Sequence, residues 1–157
     1  MKRKNKSKIY SVNSKANFDY EIIDKYEAGI KLLGSEVKSI RNGGMNISAA
    51  YIKIMSDFSV VLLNSNVRHY EFSKKDEEYD PERTRLLLLH ENEISKIAQK
   101  VKIKGYSIIP LKVYDKHHFI KMELALARGK KEYNKREDLK KKDELQAAKR
   151  AVKFQQY

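Results

Sequence analysis

Hydrophobic and polar positions change period at residue 34. Before it, Phe18, Tyr20 and Ile22 alternate with other residues, and after a break at Asp24-Lys25 so do Ile30 and Leu32, which predicts two short strands. After it, Val37 and Ile40 stand three apart on one helix face, so strand turns into short helix at Gly34. Asn42-Gly43-Gly44 stops that helix and offers a glycine for a left-handed cap. Alternation resumes with Ile52 and Ile54. Ser56-Asp57 reads as a hairpin turn into residues 58–63, a mostly apolar run suited to a strand covered on both faces.

Residues 71–80 have no period and read as a loop, whose acids lack the spacing of a metal site. Asp80-Pro81-Glu82 has the composition of a helix start, with an acid at the cap and proline in the first turn. The leucines at 86–89 cannot all face inward on a short helix, so one of them is expected at the surface or against a partner. Ile94, Ile97, Ala98 and Val101 form the clearest helical stripe, and Gly105 ends it. Residues 106–114 and 119–127 form a last hairpin with His117 and His118 in its turn. On its second strand Ile120, Met122, Leu124 and Leu126 share one face, and Phe119, Lys121, Glu123 and Ala125 the other. Six short strands with helices inserted between hairpins predict a mostly β, α+β fold. The expected form is an OB-like antiparallel barrel over residues 13–128.

Charge adds an organisation that the pattern lacks. The formal net charge is +13 over 157 residues, yet residues 1–15 hold six cations and no acid, and residues 128–157 hold eleven cations and five acids. The ends therefore account for twelve of the thirteen charges, and the body is almost neutral. Basic arms on a neutral body suit a polyanionic partner, because they neutralise phosphates without loading the body with self-repulsion. Residues 1–12 read as a disordered basic arm. Residues 129–157 carry only a thin apolar stripe (Leu145, Ala148, Val152) and read as a basic tail, loose alone and helical along a polyanion.

The chemistry is that of a binding protein. With no cysteine there is neither a disulfide framework nor a thiolate metal site, and a cytoplasmic setting fits. No run of residues is apolar enough for a membrane span. No two histidines have the helical spacing of a zinc site, and neither a phosphate-cradling glycine loop nor a nucleophile elbow is present, so no cofactor and no enzyme activity is expected. Lys38 and Arg41 flank the apolar seam of the helix after Gly34 with nothing in that segment to neutralise them, either as a solvated basic face or as phosphate contacts. Glu27 opens a strand otherwise apolar or basic. It reads either as a surface glutamate paired with Lys25 or Lys31, or as an acceptor for base amino and imino groups. Glu36 lies on a different element from Glu27, so sequence alone cannot pair them.

The segments KANFDY at 15–20, EAGIKLLGSEVKSIRNG at 27–43, NIS at 46–48, DPERTR at 80–85, LLLH at 87–90, EI at 93–94, GYSIIPL at 105–111, LARGKK at 126–131 and KRED at 135–138 follow one another in a characteristic order and spacing. Together they resemble the SmpB family, the SsrA (transfer-messenger RNA) binding proteins of bacteria. The resemblance implies an OB-fold barrel with inserted helices and a basic C-terminal tail, acting as a monomer. It implies binding to the tRNA-like end of transfer-messenger RNA, which is brought with GTP-bound elongation factor Tu to the empty A site of ribosomes stalled without a stop codon. Glu27, Leu88 and Lys121 would then face the RNA, with Lys38, Arg41 and His90 nearby. Gly129, Lys130, Lys131, Tyr133, Asn134, Lys135 and Arg136 would begin the tail that enters the small-subunit decoding centre and the empty messenger channel. Two positions depart from the family pattern: Leu86 stands where a lysine is usual, and Asn134 where an aspartate is. A general single-strand RNA-binding barrel is the competing reading.

Overall fold

The computed structural model describes residues 7–74 and 78–154. In chain order the elements are β1 (Ile9–Val12), α1 (Ala16–Asp19), β2 (Tyr20–Ile30), α2 (Gly34–Arg41), β3 (Met45–Asn46), β4 (Tyr51–Ile54), β5 (Val60–Leu63), β6 (Asn66–Val67), β7 (Arg85–Leu88), α3 (Glu91–Val101), β8 (Tyr106–Lys116), β9 (Phe119–Gly129) and α4 (Glu132–Phe154). Neighbours pair antiparallel in the order β8, β4, β5, β7, β2, β9, and β9 pairs back onto β8, so six strands close a ring. Closure removes the sheet edges that a flat sheet of this size would expose. The long strands bend at irregularities, one between Ile22 and Asp24 and one between Pro110 and Lys112. The α+β barrel is the architecture expected from the hairpins.

Inside the ring, Ala28, Leu62, Met122, Leu124 and Leu126 lie fully buried, with Ile97 of α3 closing one side. A second, smaller core lies outside, where Ala16 of α1 covers Ile109, Leu111, Ala125 and Ala127. The far half of β9 is therefore covered on both faces, and its polar face shortens to residues 119–123.

Four sequence expectations are corrected. The disordered arm over 1–12 is too long: Ile9–Val12 form β1, because β4 meets β8 only at Ile108 and leaves the edge at residues 112–114 open for β1. The Tyr10 hydroxyl donates to Asp115 at 3.1 Å and ties β1 down. Residues 1–6 of that arm lie outside the described residues. The two strands expected around Asp24-Lys25 are one strand with a bulge, and Phe18 sits in α1 instead. No helix starts at Asp80. The Asp80 carboxylate accepts the Glu82 N–H at 2.9 Å in a local turn, and residues 85–88 pair with β5 and β2 as a strand. Strand alternation solves the leucine run: Arg85 and Leu87 point inward, while Leu88 is 56% exposed. Phe58 belongs to the hairpin turn rather than to β5, with φ +63°.

The basic tail carries the last element, α4, over Glu132–Phe154. Its 23 residues, mostly Lys, Glu, Arg, Leu, Ala and Gln, exceed the length at which an isolated helix is marginal. Its start is also fixed: the Lys130 N–H donates to Asp19 O at 3.0 Å, Lys130 Nζ to Asn17 O at 2.8 Å, and Lys135 pairs with Asp19 at 3.5 Å. Beyond this base the helix is exposed almost throughout, including Leu139, Leu145 and Val152.

The corner after α2 gives a first prediction. A Cβ at Gly44 would stand 2.2 Å from Ser39 Oγ and 2.8 Å from the Ser39 carbonyl oxygen. The serine hydroxyl donates to Arg68 O at 2.5 Å, and the carbonyl already accepts the Gly44 N–H at 2.8 Å, so neither yields freely. Gly44→Ala is expected to destabilise the fold by about 1–3 kcal/mol in urea denaturation, the range for overpacking.

Candidate nucleic-acid interface

Strand β2 positions the site. Ala28 points into the barrel, so Glu27 and Gly29 point out. Gly29 lies opposite Lys121 on β9 and opposite Leu88 on β7. A Cβ there would stand 3.4 Å from the Leu88 Cβ and 3.7 Å from Lys121 Nζ, so the missing side chain lets the ammonium cross β2 toward the leucine. Three residues predicted from the sequence are thus gathered on adjacent strands: a carboxylate, a cation and an exposed apolar side chain.

Glu27 is held, not free. It accepts a hydrogen bond from the Tyr114 hydroxyl, and Lys116 Nζ donates to its two oxygens at 2.9 and 3.1 Å. The tyrosine bond first, and then the Lys116 ammonium, keep its carboxyl below the usual glutamate range. Burial, and then the same hydrogen bond, push the Tyr114 hydroxyl up, so it stays a protonated donor. Neither Lys25 nor Lys31, the partners considered from the sequence, is paired with Glu27 in the structure. Lys121 forms no ion pair among the described residues, whereas Lys112 is spent on Glu123 at 3.1 Å.

Arg41, at the end of α2, donates to His118 O at 2.9 Å and lies 3.9 Å from the Asp115 carboxylate. It joins α2 to the β8–β9 turn, where His117 and His118 both adopt positive φ, at 50° and 68°. A groove of about 740 Å³ runs beside Glu27 and is lined by Lys8, Lys112, Lys116, His117 and His118 among others. Lys38 does not join this cluster; its Nζ stands 5.7 Å from the Tyr70 ring centroid. His90 follows Leu88 by two residues and caps α3, exposed, with its N–H donated to Glu93 at 3.3 Å. Of the tail residues, Gly129 ends β9, Lys130 pairs with Asp138, and Arg136 lies 3.9 Å from Glu132. Lys131, Tyr133 and Asn134 are exposed.

Sequence reasoning missed Tyr114 and Lys116 as partners of Glu27. The signal available was Lys112, Tyr114 and Lys116 at period two, a basic and aromatic face of β8. Among the described residues no group of three or more His, Cys, Asp or Glu is arranged to hold a metal ion, and no helix is long and apolar enough to cross a membrane.

The SmpB protein family profile matches residues 10–154. The SsrA-binding protein of Fusobacterium nucleatum is 48% identical over 147 residues, covering 92% of this chain and 97% of the relative. The SsrA-binding protein of Bacillus subtilis (strain 168) is 46% identical over 153 residues, covering 98% and 97%. A chain in the solved structure described as "tmRNA-SmpB: a journey to the center of the bacterial ribosome" superposes with a TM-score of 0.62 at 40% identity, covering 76% of this chain and 83% of that one. Matched along nearly its whole length, the chain belongs to the SmpB family.

Proposed function

We propose that this chain binds the tRNA-like end of transfer-messenger RNA on the outer face of β9, β2 and β7 and delivers it to ribosomes stalled without a stop codon. The observation that carries the reading is Glu27, an ionised acceptor fixed by Tyr114 and Lys116 beside Lys121, which has no ion-pair partner among the described residues, and the exposed Leu88. Phosphate repels such a carboxylate, so its use on an RNA face is to accept hydrogen bonds from base edges. Lys121 supplies a phosphate contact, Leu88 packs on sugar or base, and Arg41, Lys38 and His90 extend the surface on either side. The names of the relatives, and the ribosome setting of the solved chain, support the same reading.

The division of labour runs along the chain. The barrel holds the RNA, with GTP-bound elongation factor Tu joining through the RNA, and the protein acts as a cytoplasmic monomer without catalysis of its own. The tail from Gly129 through Lys130, Lys131, Tyr133, Asn134, Lys135 and Arg136 enters the decoding centre and the empty messenger channel, where ribosomal RNA neutralises its cations. Tyr133, 70% exposed, offers its ring to a ribosomal base.

Glu27→Ala is expected to weaken binding to the folded tRNA-like domain by about tenfold, the worth of a lost base contact. Lys121→Ala should weaken it less selectively and reduce the salt slope by about one. Titrations at several salt concentrations measure both. A competition assay tests the function itself: preference for an unstructured oligonucleotide over the folded domain would overturn the reading in favour of a general single-strand RNA binder.

A further inference from the structure

Across the barrel from Glu27 lies a second cleft with a different composition. It holds about 550 Å³ between the β4–β5 hairpin, α3 and the start of β8, and its lining includes Tyr51, Lys53, Met55, Phe58, Lys102 and Tyr106. Phe58 is 63% exposed, Met55 49% and Tyr51 40%, while the lining contains two lysines and no carboxylate. Lys53 Nζ stands 5.7 Å from the Tyr51 ring centroid, so cation and aromatic already share one surface.

Phe58 is the informative residue. It sits at φ +63°, a conformation costly for a bulky side chain and natural to glycine or asparagine. The turn is held tightly around it: Phe58 N–H donates to Met55 O at 3.0 Å, Met55 N–H to Ser59 O at 2.8 Å, and the Asp57 carboxylate accepts from Ser59 N–H at 3.0 Å and from its hydroxyl at 2.6 Å. The turn's own acid is thereby occupied, and a strained, solvent-facing ring is presented on a rigid tip. Core packing does not repay that strain, since the ring is largely outside the core.

We infer that this cleft takes an unpaired base of ribosomal RNA, stacked on Phe58 and Tyr51, with Lys53 and Lys102 on the adjoining phosphates. Aromatic rings interleaved with lysines match a nucleotide, whose face stacks and whose backbone is anionic. The occupant follows from placement. β4 lies three strands from β2 in either direction round the ring of six, and the one β2 residue in the lining, Tyr20, begins that strand at the end away from Glu27, so RNA gripped on the Glu27 face leaves this cleft free for a second RNA. The inference rests on the ribosome-delivery reading above.

Phe58→Gly tests it, because glycine removes the ring and relieves the backbone. The variant in complex with transfer-messenger RNA is expected to bind ribosomes stalled on a message without a stop codon about tenfold more weakly. Its melting temperature should be unchanged or higher, and its affinity for the isolated tRNA-like domain unchanged. Undiminished ribosome binding, or a loss confined to the tRNA-like domain, overturns the inference. With photoreactive benzoylphenylalanine in place of Phe58, crosslinking to ribosomal RNA is expected, and crosslinking only to ribosomal protein overturns it. If the wild-type complex itself does not bind stalled ribosomes, the delivery reading falls and this inference with it. If the wild type binds and Phe58→Gly binds equally, only this inference falls.

Discussion

Truncation after Arg128 is expected to abolish peptide tagging on stalled ribosomes while leaving affinity for the folded tRNA-like domain within about twofold at physiological salt. The barrel does not need the tail. Arg128 still pairs with Glu21, and every buried side chain of the two cores lies before it. What the cut removes is the Lys130 hydrogen bond to the Asn17 carbonyl, the Lys135–Asp19 ion pair and an exposed helix, and surface contacts of that kind contribute about 1 kcal/mol each. It also removes ten cations, Lys130, Lys131, Lys135, Arg136, Lys140, Lys141, Lys142, Lys149, Arg150 and Lys153, against five acids. Residual RNA binding should therefore lose some of its steepness with salt, since fewer counterions are released. Tagging in a reconstituted translation system and binding by titration separate the two roles. A loss of RNA affinity as large as that of Glu27→Ala would show that the tail belongs to the RNA grip and would sink the division.

How much of this was legible depends on the range of the interaction. Period and punctuation found α2, α3 and the last hairpin, because Val37/Ile40 spacing, the stripe from Ile94 to Val101 and the alternation from Ile120 are local. β7 was misread as a helix since Asp80-Pro81-Glu82 satisfies helix-start chemistry, and only the ladders to β5 and β2, far away in sequence, override it. β1 was misread for the same reason: four residues in a lysine-rich arm become a strand because β8 has an unfilled edge. Of the site, Glu27 stood out in the residues themselves with two readings open, Leu88 and Lys121 came from the family resemblance, and the barrel register brings the three together. Arg41 was legible as an uncompensated cation in its own segment, but its partners lie on the far hairpin.

Glu36 is the residue whose importance the sequence hid most completely, and its replacement should be the most costly to the fold. In the sequence it is only an acid on a different element from Glu27, yet it is 1% exposed, and Arg85 beside it is 0% exposed. Its Oε1 accepts from Arg83 Nε at 2.8 Å and from Arg85 Nη2 at 2.7 Å, and its Oε2 from Arg83 Nη2 at 2.5 Å and Leu33 N–H at 3.0 Å. Tyr79 adds its hydroxyl at 3.2 Å, and Arg85 spends its other nitrogen on Ser65 and the Arg83 carbonyl. The cluster clamps α2 to β7 and to the residues leading into it, so it fixes the two elements that carry Arg41 and Leu88. Glu36→Ala leaves a fully buried guanidinium without its counter-charge, which costs about 3–5 kcal/mol, a large share of the stability of a domain this size. A fall in melting temperature of about 10 °C or more is expected. The same group sets an acid limit. Burial alone would raise its pKa, but the hydrogen bonds from Arg83 and Arg85 outweigh that and lower it to about 2 from the ordinary glutamate value of 4.5. Because the unfolded chain takes up this proton first, the contribution is complete above pH about 4.5 and is lost as pH falls toward 2, about 3 kcal/mol in all. Urea melts at stepped pH should show this slope in the wild type and a flatter one in Glu36→Gln, which cannot titrate. An equal slope in both proteins would place the acid sensitivity on other carboxylates and remove Glu36 from its role as the clamp.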